Sequence, residues 1–188
     1  MTAECGADVG PTICTSAEIA EAIERLAASI AEDYRGKPLL LLGVLKGALC
    51  FTADLARAIS GKADGPSEMM IDYVLVERYG SLGSTGGEPR MGMDCKHAVA
   101  GANVLIADDI VDNGRTLHFL RALLAERGPA SLRSCALFDR PARREVAVAV
   151  EYLGIEIPDV FAIGYGLDYK ELYRNLPYLA ELREEKTV

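Results

Sequence analysis

Residues 104–117 combine an apolar run with three carboxylates and a turn. The run Val-Leu-Ile-Ala is followed at once by Asp108 and Asp109, and Asp112 comes directly before residues 113–116, Asn-Gly-Arg-Thr. Paired carboxylates can accept hydrogen bonds from sugar hydroxyls, and a third can accept a proton from a bound base. Backbone amides at the start of a helix can bind a phosphate group. Spacing alone leaves a second interpretation open, in which the aspartates only cap a helix.

Hydrophobic periodicity indicates which elements hold this segment. Thr15 and Glu18 form a plausible capping box, and apolar residues at helical spacing then predict a helix to about residue 31. Further helices are predicted at 51–59 and 116–126, and strands at 38–45, 69–76, 104–107 and 134–138. Strands that alternate with helices predict an α/β fold with a mainly parallel central sheet flanked by helices. Ligands of such sheets bind at the carboxyl ends of the strands, where residues 108–116 are expected.

Composition places the chain among folded proteins and limits its partners. Its 188 residues fit one domain with its own core, and no repeat or linker divides them. The net charge of −8 argues against nucleic acid and an anionic membrane as partners. The five cysteines form no close pair, and residues 1–14 lack the basic start and apolar stretch of a signal peptide. We therefore expect a cytoplasmic protein without disulfides or a zinc site.

Four motifs, in one order, resemble those of a known family. Residues 104–117 resemble the motif with which type I phosphoribosyltransferases bind phosphoribosyl pyrophosphate (PRPP). Residues 43–48, the pair Tyr79-Gly80, and residues 157–169 with Tyr173-Arg174 complete the set. From about residue 39 to residue 178 the chain is similar to the hypoxanthine-guanine phosphoribosyltransferases. The resemblance implies purine salvage, in which the phosphoribosyl group of PRPP is transferred to hypoxanthine or guanine with Mg²⁺ as cofactor.

The resemblance also implies roles for individual residues. Asp112 matches the general base that takes a proton from the purine ring, and Tyr79 lies in a glycine-rich loop, expected at 77–90, that closes over the site as a lid. The other matched residues are Asp108 and Asp109 for the ribose, Asn113, Gly114, Arg115 and Thr116 for the 5′-phosphate, Lys46, Gly47 and Arg174 for pyrophosphate, and Phe161, Ala162 and Asp168 for the base. Asp168, Asp108 and Asp109 are the expected metal ligands. A cis peptide bond is implied at Leu45-Lys46.

Several positions depart from the family pattern. Asp108 stands where the family more often has Glu, Ala162 where it often has Val, and Glu77-Arg78 where it usually has small serines. Arg140 stands where the family usually has a Lys that donates to the 6-oxo oxygen of the purine. Because a guanidinium can also donate to a carbonyl, we expect Arg140 to recognise 6-oxopurines. The alternative is that Arg140 turns outward as a surface charge.

Ordinary structural roles are the alternatives at single positions. Phe161 could pack in the core, Asp168 could lie in a surface turn, and Lys46-Gly47 could be a plain turn. Neither histidine matches a catalytic position, so His97 and His118 are expected to be structural.

These inferences combine into one expected organisation. A single phosphoribosyltransferase domain is expected over 1–188, with a core at about 37–140 and a base-binding hood formed by the N-terminal segment and about 141–188. We expect PRPP and 6-oxopurine bases as partners and a homodimer or homotetramer as the assembly. Two other functions stay open, namely a PRPP-binding regulatory protein of the same fold and a sister enzyme specific for xanthine. The acidic net charge disfavours an RNA-binding version of the former.

Overall fold

The computed structural model describes residues 9–79 and 87–183, which form nine strands and three α-helices. The strands are β1 (Val9–Cys14), β2 (Pro38–Leu45), β3 (Glu68–Tyr79), β4 (Glu88–Met93), β5 (Asn103–Val111), β6 (Ser131–Asp139), β7 (Tyr152–Glu156), β8 (Ala162–Ile163) and β9 (Leu179–Leu182). The helices are α1 (Ser16–Asp33), α2 (Leu49–Ser60) and α3 (Arg115–Ala125), and Pro141–Arg143 form one turn of 3₁₀ helix.

Six strands form the central sheet, in the order β4-β3-β2-β5-β6-β7. Neighbouring strands run parallel except at one edge, where β4 is antiparallel to β3. The predicted α/β fold with a mainly parallel central sheet is therefore confirmed. Because β2 and β5 are central neighbours, the turns that follow them lie side by side at the carboxyl edge of the sheet.

Helices cover both faces of the sheet, and the sequence of β2 explains why. Leu39 and Leu41 point into one core, which they share with α1 and α2. Leu40 and Leu42 point into a second core, which contains the apolar face of α3. All four leucines are at most 1% exposed. A continuous apolar run is the pattern expected of a strand buried on both faces.

The start of α1 follows the predicted capping box. The Thr15 hydroxyl accepts a hydrogen bond from the Glu18 backbone N–H at 3.3 Å, and the Glu18 carboxylate accepts one from the Thr15 N–H at 2.8 Å. The Glu18 carboxylate also accepts from the Thr15 hydroxyl at 2.8 Å, and the two bonds that it accepts from Thr15 hold the pKa of Glu18 below its usual value. The bonds to the Thr15 and Glu18 backbone N–H groups satisfy two donors that a helix start leaves free, so the helix begins where the sequence predicts.

A second sheet joins the two ends of the described chain. β9 pairs antiparallel with β1 on one side and with β8 on the other. This three-stranded sheet is the hood that the fold prediction attributed to the terminal segments. β1 itself was not predicted, because residues 9–14 contain Gly10 and Pro11 and lack an alternating pattern.

The prediction of a loop over 77–90 is wrong at both ends. β3 continues to Tyr79, and β4 begins at Glu88, so Glu77 faces Arg90 across an antiparallel ladder. Their side chains form an ion pair of 3.1 Å. Cross-strand pairs of this kind stabilise the antiparallel pair β3–β4 at the sheet edge. Because these strand ends are not apolar, hydrophobic periodicity did not predict them.

In the described residues, no helix is long and apolar enough to cross a membrane.

Candidate active site

The carboxyl end of β5 carries the three carboxylates of the motif. Asp108 and Asp109 lie in the strand itself, because β5 continues to Val111 in register with β6 and does not end at residue 107 as predicted. Asp112 follows the strand directly. A cavity of about 230 Å³ opens here, and its lining includes Gly47, Asp108, Asp109, Asp112, Asn113, Gly114 and Thr116.

The turn between β5 and α3 forms one wall of this cavity. Gly114 has a φ of +84°, a left-handed conformation that favours glycine, and a Cβ atom there would lie 2.5 Å from the Val146 carbonyl oxygen. The Asn113 side-chain oxygen accepts from the Arg115 N–H at 3.1 Å. The Arg115 side chain turns aside to Glu145, at 2.9 Å. The turn therefore presents the start of α3, with its backbone amides, to the cavity.

The turn after β2 is packed tightly against β5. A Cβ atom on Gly47 would lie 1.7 Å from the Asp109 carboxylate oxygen, so only glycine allows this approach. Burial raises the pKa of the Asp109 carboxyl, against the hydrogen bonds that it accepts. The Leu45–Lys46 peptide bond is cis, the form that the resemblance implies. Lys46 extends to Glu171, with 3.0 Å between its ammonium nitrogen and the carboxylate.

A second cavity, of about 200 Å³, lies beside the first. Its lining includes Asp109, Asp112, Arg140, Arg143, Phe161, Ala162, Asp168 and Arg174. Asp109 and Asp112 line both cavities. The structure thus brings the predicted base-binding residues next to the predicted ribose and phosphate residues.

Arg140 occupies the floor of the second cavity. It is 7% exposed, which excludes the outward orientation considered above. Its guanidinium is bidentate to Asp112, at 3.1 Å from Nε and 2.9 Å from Nη2, and it also donates to the Val160 carbonyl oxygen. Because the guanidinium is hydrogen-bonded on two sides, the direction of its N–H donors is fixed. The predicted base reader and the predicted general base are therefore direct partners.

Phe161 lies at the mouth of the second cavity. Its side chain is 44% exposed, so it is not a core residue. Its ring meets that of Tyr169 edge to face, with 5.8 Å between centroids. An exposed aromatic ring fixed by a second ring offers a planar surface on which a heterocycle can stack.

Asp168 and Arg174 form the ion pair of the opposite wall, 2.7 Å apart. Arg174 also donates to the Gly166 carbonyl oxygen at 2.7 Å and lies 3.5 Å from Glu171. Its Nε atom is buried and has no hydrogen-bond partner within residues 9–79 and 87–183. Such a donor is costly unless a ligand oxygen satisfies it.

Four charged residues of the site were missed from the sequence. Arg143, Arg144, Glu145 and Glu171 contact predicted site residues or line the cavities. The run Arg-Pro-Ala-Arg-Arg-Glu at 140–145 was the available signal, because a dense charge run directly after a buried strand reaches the carboxyl edge of the sheet.

Three other predicted residues lie apart from the cavities or outside the described part. Residues 80–86 and the Tyr79 side chain are outside the described residues, so the lid stays a prediction. His97 binds Asp72, with 2.8 Å between Nδ1 and the carboxylate, in the connection before β5. His118 lies on α3 and lines neither cavity.

The three expected metal ligands are carboxylates at the edge of the two cavities. Among residues 9–79 and 87–183, no group of three or more histidine, cysteine, aspartate or glutamate side chains could hold a metal ion. Asp108, Asp109 and Asp168 therefore do not form a closed protein site. Mg²⁺ in phosphate-containing sites is commonly held by one or two carboxylates together with substrate oxygens and water. These carboxylates fit that open arrangement.

Comparison with known families agrees with this geometry. A model of the phosphoribosyl transferase domain matches residues 12–170, which include the cavity-lining residues from Gly47 to Asp168. The match covers most of the chain, and the chain belongs to the phosphoribosyltransferase family.

Individual relatives are similar over nearly their whole length. The hypoxanthine-guanine phosphoribosyltransferase of Dictyostelium discoideum is 42% identical over 174 residues, 92% of this chain and 95% of that protein. The hypoxanthine phosphoribosyltransferase of Escherichia coli K12 is 40% identical over 168 residues, 88% of this chain and 91% of that protein. A solved hypoxanthine phosphoribosyltransferase from Staphylococcus aureus superposes with a TM-score of 0.88 at 36% identity, covering 100% of this chain and 99% of that one.

Proposed function

We propose that the protein transfers the phosphoribosyl group of PRPP to hypoxanthine or guanine, giving a purine nucleotide and pyrophosphate. One observation carries the proposal. A cavity that offers a carboxylate paired with a buried guanidinium, Asp112 with Arg140, adjoins a strand-end cavity lined by Asp108 and the turn that begins α3. The first suits a 6-oxopurine, which has both a proton to give and a carbonyl to bind.

PRPP would lie along the carboxyl edge of the sheet. Asp108 and Asp109 accept from the ribose hydroxyls, and the turn of Asn113, Gly114, Arg115 and Thr116 binds the 5′-phosphate through backbone amides and the Thr116 hydroxyl. The pyrophosphate extends toward Gly47, Lys46 and Arg174, where the Nε of Arg174, which has no hydrogen-bond partner in the described part of the chain, supplies a donor. Glu171 holds both cations, so pyrophosphate would replace one carboxylate with several phosphate oxygens.

The purine would enter the second cavity. Its ring stacks on Phe161, its edge meets the backbone at Ala162, and its 6-oxo oxygen accepts from Arg140. Asp168, held by Arg174, closes the far side. Because Arg140 already bonds to Asp112, the 6-oxo oxygen and the imidazole N–H of the purine would meet this pair together.

The reaction exchanges one bond at the anomeric carbon of PRPP. The C1′–O bond to pyrophosphate breaks with its electron pair on oxygen, and a purine ring nitrogen supplies the pair for the new C1′–N bond. The Asp112 carboxylate accepts the proton that the imidazole ring loses from its other nitrogen, the one beside the 6-oxo group, so the base leaves as a neutral nucleotide. Lys46 and Arg174 offset the charge that develops on pyrophosphate. Bound Mg²⁺ would add positive charge there, and Asp168 with Asp108 or Asp109 are the carboxylates placed to hold it.

The deciding experiment measures pyrophosphate release from PRPP with each purine and pyrimidine base in turn, with and without a chelator. We expect turnover with hypoxanthine or guanine and none after chelation. Turnover of xanthine alone would favour the sister enzyme. Binding of PRPP without turnover of any base would favour a regulatory protein.

Assembly and location are part of the same proposal. A homodimer or homotetramer in the cytoplasm is expected, and a single domain over the whole chain remains our interpretation. Sedimentation of the purified chain at micromolar concentration measures the assembly directly, and a monomer would contradict it.

A further inference from the structure

Residues 144–146, which we call the bracket, hold the turn that connects the two cavities. The bracket follows the 3₁₀ turn after β6 and lies outside the four family motifs. Its backbone N–H groups at Glu145 and Val146 both donate to the Asn113 carbonyl oxygen, at 3.1 and 3.0 Å. The Asn113 part of the turn, where the 5′-phosphate is proposed to bind, is thus held by backbone hydrogen bonds.

Arg144 fixes the other half of the turn. Its Nε donates to the Asp112 carbonyl oxygen at 2.9 Å, and its Nη2 donates to the Val111 carbonyl oxygen at 3.2 Å. Nη2 also pairs with the Asp139 carboxylate at the end of β6. One side chain therefore joins the last residues of β5 and β6 to the backbone that carries the Asp112 carboxylate.

The packing leaves this turn little room to move. The Arg144 side chain is 23% exposed, and its Cδ atom would lie 3.1 Å from a Cβ on Gly114. Three consecutive carbonyl oxygens, of Val111, Asp112 and Asn113, thus accept from the bracket. A charged donor that binds two carbonyls in a partly buried position holds them more firmly than a neutral one.

We propose that Arg144 is a positioning residue for the transfer reaction. Arg144 binds the Val111 and Asp112 carbonyl oxygens and so keeps the Asp112 carboxylate within proton-transfer reach of the purine. PRPP is bound on the other side of the same turn. The proposal rests on the proposed function, in which Asp112 accepts the purine proton. Proton transfer requires heavy atoms within about 3.2 Å, and a displacement of 1 Å can lower a rate about 10²-fold.

The first experiment does not depend on activity. Arg144→Met retains an unbranched side chain and removes all donors. Amide hydrogen exchange over residues 110–116 is expected to be at least about 5-fold faster than in the unaltered chain, because the turn loses two anchors. The matched control is Arg121→Met: Arg121 is 22% exposed, pairs with Glu151 at 2.8 Å and donates to Ser134 on β6 rather than to the turn. Its exchange over 110–116 should be unchanged.

The second experiment tests whether Arg144 acts through Asp112. In single-turnover measurements with PRPP and hypoxanthine, Arg144→Met should lower the rate at least about 10-fold, while PRPP affinity changes less than about 3-fold because the Asn113 anchors remain. In an Asp112→Asn background the same substitution should lower the rate less than about 3-fold, since there is no base left to position.

Two results would overturn the proposal. Unchanged exchange over 110–116 in Arg144→Met would show that Arg144 does not hold the turn, whatever the activity. An equal fold loss with and without Asp112 would show that Arg144 acts independently of the base. Absence of transfer by the unaltered chain would count against the proposed function instead, and the exchange result would still decide whether Arg144 positions the turn.

Discussion

At the scale of single residues, the site is a set of charge pairs that a substrate would rearrange. Asp112 faces Arg140, Asp168 faces Arg174, and Glu171 contacts both Lys46 and Arg174. Each cation is held by a carboxylate and can exchange it for a substrate oxygen at small cost in reorganisation. The arrangement is therefore preorganised for anions without leaving isolated charges in a buried site.

Asp112→Asn tests the proposed base. The amide retains the size and the Arg140 contact through its oxygen but cannot accept a proton. We expect the single-turnover rate to fall by about 10²-fold or more, with PRPP affinity retained. Rapid-quench measurement of nucleotide formation gives the rate, and an unchanged rate would remove Asp112 from the reaction.

Arg140→Ala tests base recognition. Losing a charge-assisted hydrogen bond to the 6-oxo oxygen should cost roughly 1.5 to 3 kcal/mol in catalytic efficiency for 6-oxopurines. PRPP binding should change little, because Arg140 lines the second cavity and not the first. Arg140→Lys is the matched variant: it keeps one charged donor and should lose less than about 10-fold. If Arg140→Ala and the unaltered chain have the same catalytic efficiency with every 6-oxopurine, the assignment is contradicted.

At the scale of elements, the apolar strands and the capped helix were predictable from the sequence, and the polar strand ends were not. The Leu run of β2 and the capping box at Thr15 are local signals, so β2 and α1 were located within two residues. β4 and the last residues of β3 depend on cross-strand pairs such as Glu77 with Arg90, which a local window cannot show. The contacts of Arg144 and Glu171 were missed for the same reason, because they join segments that are distant in sequence.

Glycines at the contact between two turns allow a further test. A Cβ on Gly166 would lie 1.9 Å from the Gly47 carbonyl oxygen, and its φ is +99°. Gly166→Ala should therefore destabilise the fold by more than about 1 kcal/mol and weaken PRPP binding, because the turn carrying Lys46 must shift. Gly61→Ala is the control, since its nearest contact is at 3.4 Å and its φ is −75°. Denaturant unfolding and PRPP titration check both, and equal stability of the two variants would contradict the argument.

At the scale of the whole molecule, one partly buried carboxylate, that of Asp72 on β3, ties the connection between β4 and β5 to the central sheet. Asp72 on β3 accepts from the backbone N–H groups of Lys96 and His97, at 2.7 and 3.0 Å, and from the His97 ring. Burial raises the pKa of Asp72, but these hydrogen bonds outweigh it and lower the pKa to about 2. The connection between β4 and β5 is thus held by a group that requires its charge.

Asp72 should make the stability of the protein depend on acid pH. Because its folded pKa lies below the ordinary value of 3.8, the carboxylate stabilises the fold fully above about pH 4, and this contribution is lost as the pH falls toward 2. The shift corresponds to at most about 2 kcal/mol, because the carboxylate is partly exposed and solvent screens its interactions. Asp72→Asn should therefore lower the free energy of unfolding at pH 7 by up to that amount and flatten its fall between pH 4 and pH 2. Urea unfolding across this range measures both quantities, with Asp64→Asn, an exposed aspartate after α2, as control. If the free energy of unfolding of Asp72→Asn changes with pH in parallel with that of the unaltered chain, other carboxylates govern acid unfolding.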